Sequence, residues 1–350
     1  MIEITHGNLI EADADALVNT VNTVGIMGKG IALQFRKAFP ENYESYKRAC
    51  ANGQVEPGKV FTTELHDGSR RRFIVNFPTK RHWKGKSKIE DIESGLAALV
   101  QEIRARGIKS VAVPPLGCGN GGLRWNDVFP RIEKAFATIP NVRALIYEPS
   151  DSPSPQRMIN RSDRPTMTPG RAAVICLMSR YLVPGYVYRL SMLEIQKLAY
   201  FVQCAGEDLR LNFVKGPYGP YADNLRKVLE TMDGHFIEGY GDGVGTNTPE
   251  TPITVFPDAA SEAEQFLHGQ SDIQSRFRRV AELIEGFETP YGMELLSTVH
   301  WVATREAAAR QDDSSQVLSA VQNWNERKQT IMQPGHVDIA WQRLRHLKWI

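Results

Sequence analysis

The stretch VNTVNTVGIMGKGIALQF (residues 18–35) runs from an apolar segment through three glycines into a helical spacing. Leu17 to Val21 reads as a short buried strand, and Ile31, Phe35 and Phe39 recur four apart, which predicts a helix from Gly30 to Phe39. Between them lie Gly25, Gly28 and Gly30. Glycines there let the backbone approach a ligand closely, and the helix that follows offers an anion its positive end. The same order recurs in VPPLGCGNGGLRW (residues 113–125), where Gly117, Gly119, Gly121 and Gly122 follow the apolar run SVAVP at 110–114. Neither loop is a dinucleotide GxGxxG or a phosphate-binding GxxxxGK[ST]. Each alone is as readily a tight turn as a ligand loop; together, at the carboxyl ends of two strands, they would cradle a pyrophosphate.

The flanking sequence keeps the alternation. Phe73 to Phe77 and Ala144 to Tyr147 are apolar runs. Ile89 to Arg104 is helical, with Ile92, Leu96, Leu99 and Ile103 on one face, and Val128 to Ala137 is helical again. Strands and helices in turn predict an α/β sandwich around a largely buried sheet.

NFPTKRHWKGKSKIEDIESGL (residues 76–96) places five cations, Lys80, Arg81, Lys84, Lys86 and Lys88, right after the second of these strands, with His82 and Trp83 among them. From local sequence alone Lys80 is more readily a solvated lysine than a reactive one. His82 and Trp83 would stack on a nucleotide or simply anchor the loop.

At 350 residues the chain suggests two domains. PSDSPSPQRMINRSDRPTMTPG (residues 149–170) has no apolar period and reads as a linker, giving domains at 1–150 and 168–350 joined by 151–167. Net charge is only +2, yet residues 1–150 carry 21 Lys/Arg against 16 Asp/Glu, and residues 201–300 carry 7 against 16. Either the two parts meet different partners or both are ordinary solvated surfaces. No apolar run approaches the ~18 residues of a membrane span, and MIEITHGNL has no signal-like segment. Cys50, Cys118, Cys176 and Cys204 have no paired spacing, and the histidines no metal spacing. Reduced thiols, a cytoplasmic location, no membrane partner and no metal are expected.

GNLIEADADALVNTVNTVGIMGKGIALQF, NFPTKRHWKGKSKIEDIESGL and PPLGCGNGGLRW, in that order and spacing, resemble the macrodomain family of ADP-ribose binders. Within it the likeness is strongest to the DarG antitoxins and more distant to the human terminal ADP-ribose glycohydrolase. The resemblance covers about residues 1–150 and implies a three-layer α/β/α macrodomain. DarG macrodomains remove ADP-ribose that a DarT toxin has attached to a thymine base in single-stranded DNA. They need no metal or other cofactor, and a strand-end lysine is essential. The matching lysine is Lys80, as catalytic residue.

The resemblance also implies ADP-ribose contacts at Asn8, Leu9, Asn19 and Asn22 and at Gly25, Gly28 and Gly30. In the second loop it implies them at Gly117, Cys118, Gly119, Asn120, Gly121 and Leu123. Arg81, His82, Trp83, Lys84 and Lys86 become candidate DNA contacts, with Lys88 beside them. Asn22 would orient a hydroxyl of the distal ribose. Asn8 stands where many macrodomains carry an aspartate for the adenine; it serves equally well as a plain turn residue. Cys118 reads from its surroundings as packing. In the human relative an aspartate of the second loop assists the lysine, and the aligned position here is Gly121, which offers no carboxylate. An amine that attacks an anomeric carbon must be neutral, which calls for a pKa lowered by burial or by neighbouring cations.

The second part reads as mainly helical with minor β. Thr168-Pro169-Gly170 is a helix start, and Ser191 to Glu194 is a capping box opening a helix with Ile195, Leu198, Ala199 and Val202 on one face. Leu209, Leu211 and Phe213 alternate as in a strand, and KGPYGPY (residues 215–221) is a Pro/Gly turn whose rings would also suit an interface. Further helices are expected at Glu262–Phe266, Gln274–Ile284, Met293–Ala308 and Gln316–Glu326. The segment IQKLAYFVQCAGEDL with KGPYGPYADNL resembles the toxin-binding domain of DarG proteins. Three functions follow: an antitoxin that both hydrolyses ADP-ribosylated DNA and binds its toxin, a non-catalytic ADP-ribose reader, or a hydrolase acting on ADP-ribosylated protein.

Overall fold

Residues 18–35 run from within β2 (Ala16–Asn22) into α1 (Gly30–Ala38). The computed structural model describes residues 1–65, 73–149, 158–181, 190–241, 252–306 and 314–350. The chain divides into two compact units, with the division between Asp163 and Arg164.

In the first unit β1 (Ile2–Thr5), β2, β3 (Phe61–Glu64), β4 (Phe73–Lys80), β5 (Ser110–Val113) and β6 (Arg143–Tyr147) form one sheet in the order β1-β6-β5-β2-β4-β3. All pairings are parallel except β3 with β4. Both faces are covered. Ala16, Val18, Val75, Phe77, Val111, Val113 and Ile146 pack on one face with α3 (Ile89–Arg106) and α4 (Trp125–Phe136). The intervening residues Leu17, Ile74, Ala112 and Leu145 pack on the other, with Phe35 and Ala38 of α1. α2 (Pro40–Ala51) adds Tyr46 and Ala49 to a small cluster with Val21 and Met27. The period-two alternation within each strand, apolar on both sides, is what a buried parallel sheet requires. The first unit is therefore a three-layer α/β/α sandwich.

β2 lies between β4 and β5, so the chain leaves it toward β4 on one face and returns to β5 over the other. That reversal opens a crevice at the carboxyl ends of these strands. The register of β2 on β4 slips after Val21↔Pro78, so that Asn22 pairs with Lys80 and Thr79 is the extra residue. A bulge of this kind re-aims the side chain that follows it. β1, β3 and α2 were not anticipated from the sequence.

The linker expected at 151–167 falls partly outside the described residues. Of its described end, residues 158–163 belong with the first unit: the Arg161 N–H donates to the Lys37 carbonyl at 2.8 Å, and Ile159 packs with the cluster around Phe35, whereas Met167 packs in the core of the second.

The second unit holds α5 (Pro169–Tyr181), α6 (Met192–Cys204), β7 (Val214–Gly216), β8 (Gly219–Tyr221), α7 (Leu225–Met232), β9 (Ile237–Glu238) and β10 (Thr254–Val255). These are followed by α8 (Pro257–Leu267), α9 (Ser271–Ile284), α10 (Pro290–Arg305), α11 (Ser314–Gln322), α12 (Glu326–Ile331) and α13 (Pro334–His346). It is mainly helical, around α6 and α10. The Ser191 capping box is formed, with the Ser191 side chain accepting from the Leu193 N–H and the Glu194 carboxylate accepting from the Ser191 N–H at 2.9 Å.

Three expectations are corrected. Leu209 to Phe213 is not a strand: the Gln203 side chain supplies what a partner strand would, accepting from Leu211 N at 2.8 Å and donating to its carbonyl at 2.9 Å. KGPYGPY is more than a turn; it is the antiparallel hairpin β7–β8. The helix expected over 316–326 breaks, because Asn325 caps a new helix by accepting from Lys328 N at 2.9 Å. The end of the helix expected to reach Ala308 lies outside the described residues.

Candidate active site

The crevice gathers all three motifs, since β5, β2 and β4 are neighbours and each ends in one of them. Lys80, half-buried at the end of β4, donates from Nζ to the main-chain carbonyl of Asn120 in the second glycine loop. Burial depresses its pKa, and the charge of Lys86 depresses it further. Of the two causes expected from the sequence, burial comes first, and of the neighbouring cations Lys86 contributes. Arg81 is committed elsewhere, making two hydrogen bonds to Asp91 of α3 at 2.6 and 3.0 Å.

The second loop is built around backbone bonds. Leu123 N donates to the Gly117 carbonyl at 3.1 Å, Gly122 N to the Gly119 carbonyl at 3.0 Å, and Ser87 N to the Gly121 carbonyl at 3.1 Å. Gly117 and Gly122 have φ of +71° and +79°, where a side chain is strained. At Gly121 the constraint is space. A Cβ there would stand 2.2 Å from the Gly117 carbonyl oxygen and 2.3 Å from the buried Ser87 hydroxyl. The missing carboxylate is thus excluded by the loop's own packing. Gly121→Ala is expected to displace the Asn120 carbonyl from Lys80, at a strain of about 1–3 kcal/mol, and to lower hydrolysis at least ~10-fold. Steady-state kinetics check this; an unchanged rate would show that the loop yields freely.

The first loop is pinned by Asn22. Its Oδ1 accepts from the N–H groups of Val24 and Ile26 at 3.0 and 3.3 Å, and its Nδ2 donates to the Ile26 carbonyl at 2.5 Å. Tyr46 donates to the Asn22 carbonyl at 2.7 Å. Asn22 therefore shapes the loop with both ends of its amide. Asn19 is fully buried, donating to Asn76 Oδ1 at 3.0 Å, while Asn76 donates to Asn42 Oδ1 at 2.8 Å. These amides lock β2, β4 and α2 beneath the site. Asn8 caps a short 3-10 turn, its Oδ1 accepting from Ile10 N at 3.1 Å, and Leu9 is buried under it. Cys118 packs against the core, and burial raises its thiol to about 11, so it is not a nucleophile at neutral pH.

Gly25, Gly28 and Gly30 line the first loop, and Gly119 and Asn120 are exposed on the second. Trp83 is exposed, with the His82 ring 5.5 Å away and Lys84 Nζ 4.8 Å from its centroid. Tyr46, Asp91 and Ser87 were missed. Only Asp91, in the first turn of a helix just after a cation run, carried a usable signal. Among the described residues no group of three His, Cys, Asp or Glu side chains could hold a metal. No helix there is long and apolar enough to cross a membrane.

A buried mixed sheet with two glycine loops and a lysine at adjacent strand ends defines a macrodomain, and the Macro domain family model matches residues 18–132. The chain is 44% identical over 340 residues to the DNA ADP-ribosyl glycohydrolase of Thermus aquaticus, covering 97% of this chain and 92% of that one. It belongs to the DNA ADP-ribosyl glycohydrolase family. It is also 36% identical, over 44% of its length and 43% of the relative's, to a DNA ADP-ribosyl transferase–DNA ADP-ribosyl glycohydrolase fusion protein of Thermosipho africanus. Among solved structures it resembles the macrodomain of Mycobacterium tuberculosis DarG, at 51% identity over 43% of this chain and 99% of that one, with a TM-score of 0.43.

Proposed function

We propose that this chain is an antitoxin that removes ADP-ribose from thymine in single-stranded DNA, with Lys80 as the nucleophile. The observation that carries the reading is Lys80 itself, a lysine of depressed pKa whose amine is held on the second glycine loop. In the proposed reaction Nζ attacks the anomeric carbon of the distal ribose and the N-glycosidic bond breaks. The thymine nitrogen leaves with the bonding pair and takes up a proton. The amine-bound sugar opens to a Schiff base, and water hydrolyses it to free ADP-ribose and the regenerated amine. A reader of ADP-ribose would have no use for such an amine. Incubating the full chain with thymine-ADP-ribosylated single-stranded DNA should yield unmodified DNA and free ADP-ribose; persistence of the adduct would refute the reading.

Because the neutral amine is the reactive form, the rate should rise with pH until Lys80 is deprotonated, at a pH below the ordinary lysine value of 10.5. Lys86→Met removes a cation that favours the neutral form. The pKa of Lys80 should then rise, the ascending limb should move to higher pH, and the rate at neutral pH should fall about two- to tenfold. A pH profile of kcat/KM measures this. An unmoved limb would show that the charge of Lys86 is not felt.

We assign hydrolysis to the macrodomain at 1–150, extended to Asp163 where the first unit ends, and toxin binding to the helical part from 168 onward. The relative that joins a DNA ADP-ribosyl transferase to a glycohydrolase in one chain supports such a pairing. The acidic excess of residues 201–300 is a weaker support than its count suggests. Glu207 is buried and bonded to Arg276 at 2.8 Å, and Glu262 meets Arg164 from outside that window at 2.7 Å. Equimolar residues 164–350 should suppress a cognate transferase acting on single-stranded DNA, without releasing ADP-ribose. Undiminished transfer would remove this role from the second unit.

A further inference from the structure

In the first unit, among the described residues, five large apolar side chains stand out into solvent: Met1, Ile4, Val24, Ile26 and Trp83. Three of them, at 44%, 43% and 47% exposure, share the two adjacent loops that follow β2 and β4. Apolar surface gathered at the mouth of one crevice marks a contact site more than scattered exposure does.

The backbone beneath these side chains is fixed. Asn22 holds the N–H groups of Val24 and Ile26. Thr23 Oγ1 donates to the Arg81 carbonyl at 2.6 Å, which ties these two loops together, and the Arg81–Asp91 pair ties the loop after β4 to α3. Arg81 is thus a brace whose charge is already met. Lys84 and Lys88 are exposed and make no ion pair among the described residues, and Lys84 lies beside the Trp83 ring. An exposed indole with apolar neighbours and unpaired cations suits unstacked bases on a phosphate chain, where rings carry the bases and lysines the backbone.

We propose that Trp83, together with Val24 and Ile26, forms a stacking platform for a nucleobase next to the ADP-ribosylated one, and that Lys84 and Lys88 contact the flanking phosphates. This rests on the DNA glycohydrolase reading and adds to it a selection for the strand around the lesion. It also removes Arg81 from the DNA contacts and makes it a positioning residue.

The full-length chain and its Trp83→Ala, Trp83→Phe and Lys84→Met variants would be compared on an ADP-ribosylated oligonucleotide and on ADP-ribosylated thymidine. Trp83→Ala should lower the preference for the oligonucleotide, as a ratio of kcat/KM values, at least ~5-fold, chiefly through KM, and Trp83→Phe should restore most of it. Lys84→Met should flatten the salt dependence on the oligonucleotide. An unchanged ratio, or equal losses on both substrates, would overturn the platform. So would a Trp83→Ala defect confined to ADP-ribosylated protein, which would identify a polypeptide as the occupant. Failure of the wild-type chain on both DNA-derived substrates would instead defeat the underlying glycohydrolase reading.

Discussion

Lys80→Ala should reduce release of ADP-ribose from modified DNA by roughly 10³-fold or more, while ADP-ribose binding changes by no more than about threefold. The two effects separate because different atoms carry them. In the proposed site the amine alone can attack the anomeric carbon, whereas the cradle would be the backbone of the glycine loops. The second loop keeps its shape through Leu123 N to the Gly117 carbonyl and Ser87 N to the Gly121 carbonyl, neither of which involves Lys80. The side chain does meet the Asn120 carbonyl, so a small change in affinity is expected. Lys80→Arg should be nearly as inactive, since a guanidinium stays protonated and cannot act as the nucleophile. Binding by calorimetry and turnover on the DNA adduct measure the two quantities. Near-normal turnover by either variant would show that Lys80 is not the nucleophile.

Glu294→Ala should cost the second unit about 3–5 kcal/mol, lowering its melting temperature by roughly 6–20 °C. Glu294 is buried on α10 and accepts from Lys328 Nζ at 2.7 Å and from Arg327 at 2.5 Å. Lys328 is fully buried and bonded also to Thr298 at 3.0 Å, and burial lowers its pKa against the pull of Glu294. Close by, Lys197 is buried with its amine on the Pro220 carbonyl at 2.6 Å, its pKa brought down to about 7 chiefly by burial and then by Lys328. Without the one carboxylate, a buried cation loses its counter-ion, and the clamp on the β7–β8 hairpin loosens with it. Trp324 Nε1 and Asn325 Nδ2, which donate to the Gly216 and Pro217 carbonyls at 2.8 and 3.0 Å, hold the other side of that hairpin. Thermal unfolding followed by circular dichroism would show the shift, and an unchanged melting temperature would mean the charges are solvated in the native state. The macrodomain should keep its hydrolase activity in this variant.

Much of the first unit was legible because its signals are local. The runs at Leu17–Val21, Phe73–Phe77 and Ser110–Pro114 are buried on both faces and therefore continuous in sequence, and the two glycine loops announce the strand ends. β1 and β3 escaped because IEIT and FTTE are edge strands, half-exposed and without a continuous apolar run. α2 escaped because only Asn42, Tyr46 and Ala49 of its twelve residues are buried, too sparse a stripe to set a period.

Site residues were readable by type, whereas the partners that orient them were not. Asn19 and Asn22 lie in the expected strand; the Asn19 amide nitrogen donates into a buried amide ladder, and Asn22 bonds the loop backbone. Arg81 belonged to the cation run, but its partner Asp91 is ten residues away, brought near by the turn into α3. The strand expected at Leu209–Phe213 shows the same limit. The alternation of burial there is real, but whether a strand forms depends on a partner, and Gln203 on α6 supplies the hydrogen bonds instead.

The most direct test of the central claim is reductive trapping. The full chain would be incubated with ADP-ribosylated single-stranded DNA in the presence of cyanoborohydride and its peptides mapped by mass spectrometry. Attack by Lys80 predicts a substrate-dependent ADP-ribosyl adduct on the peptide carrying that residue, with turnover falling as the adduct accumulates. Complete hydrolysis at an undiminished rate, with Lys80 unmodified, would contradict the account.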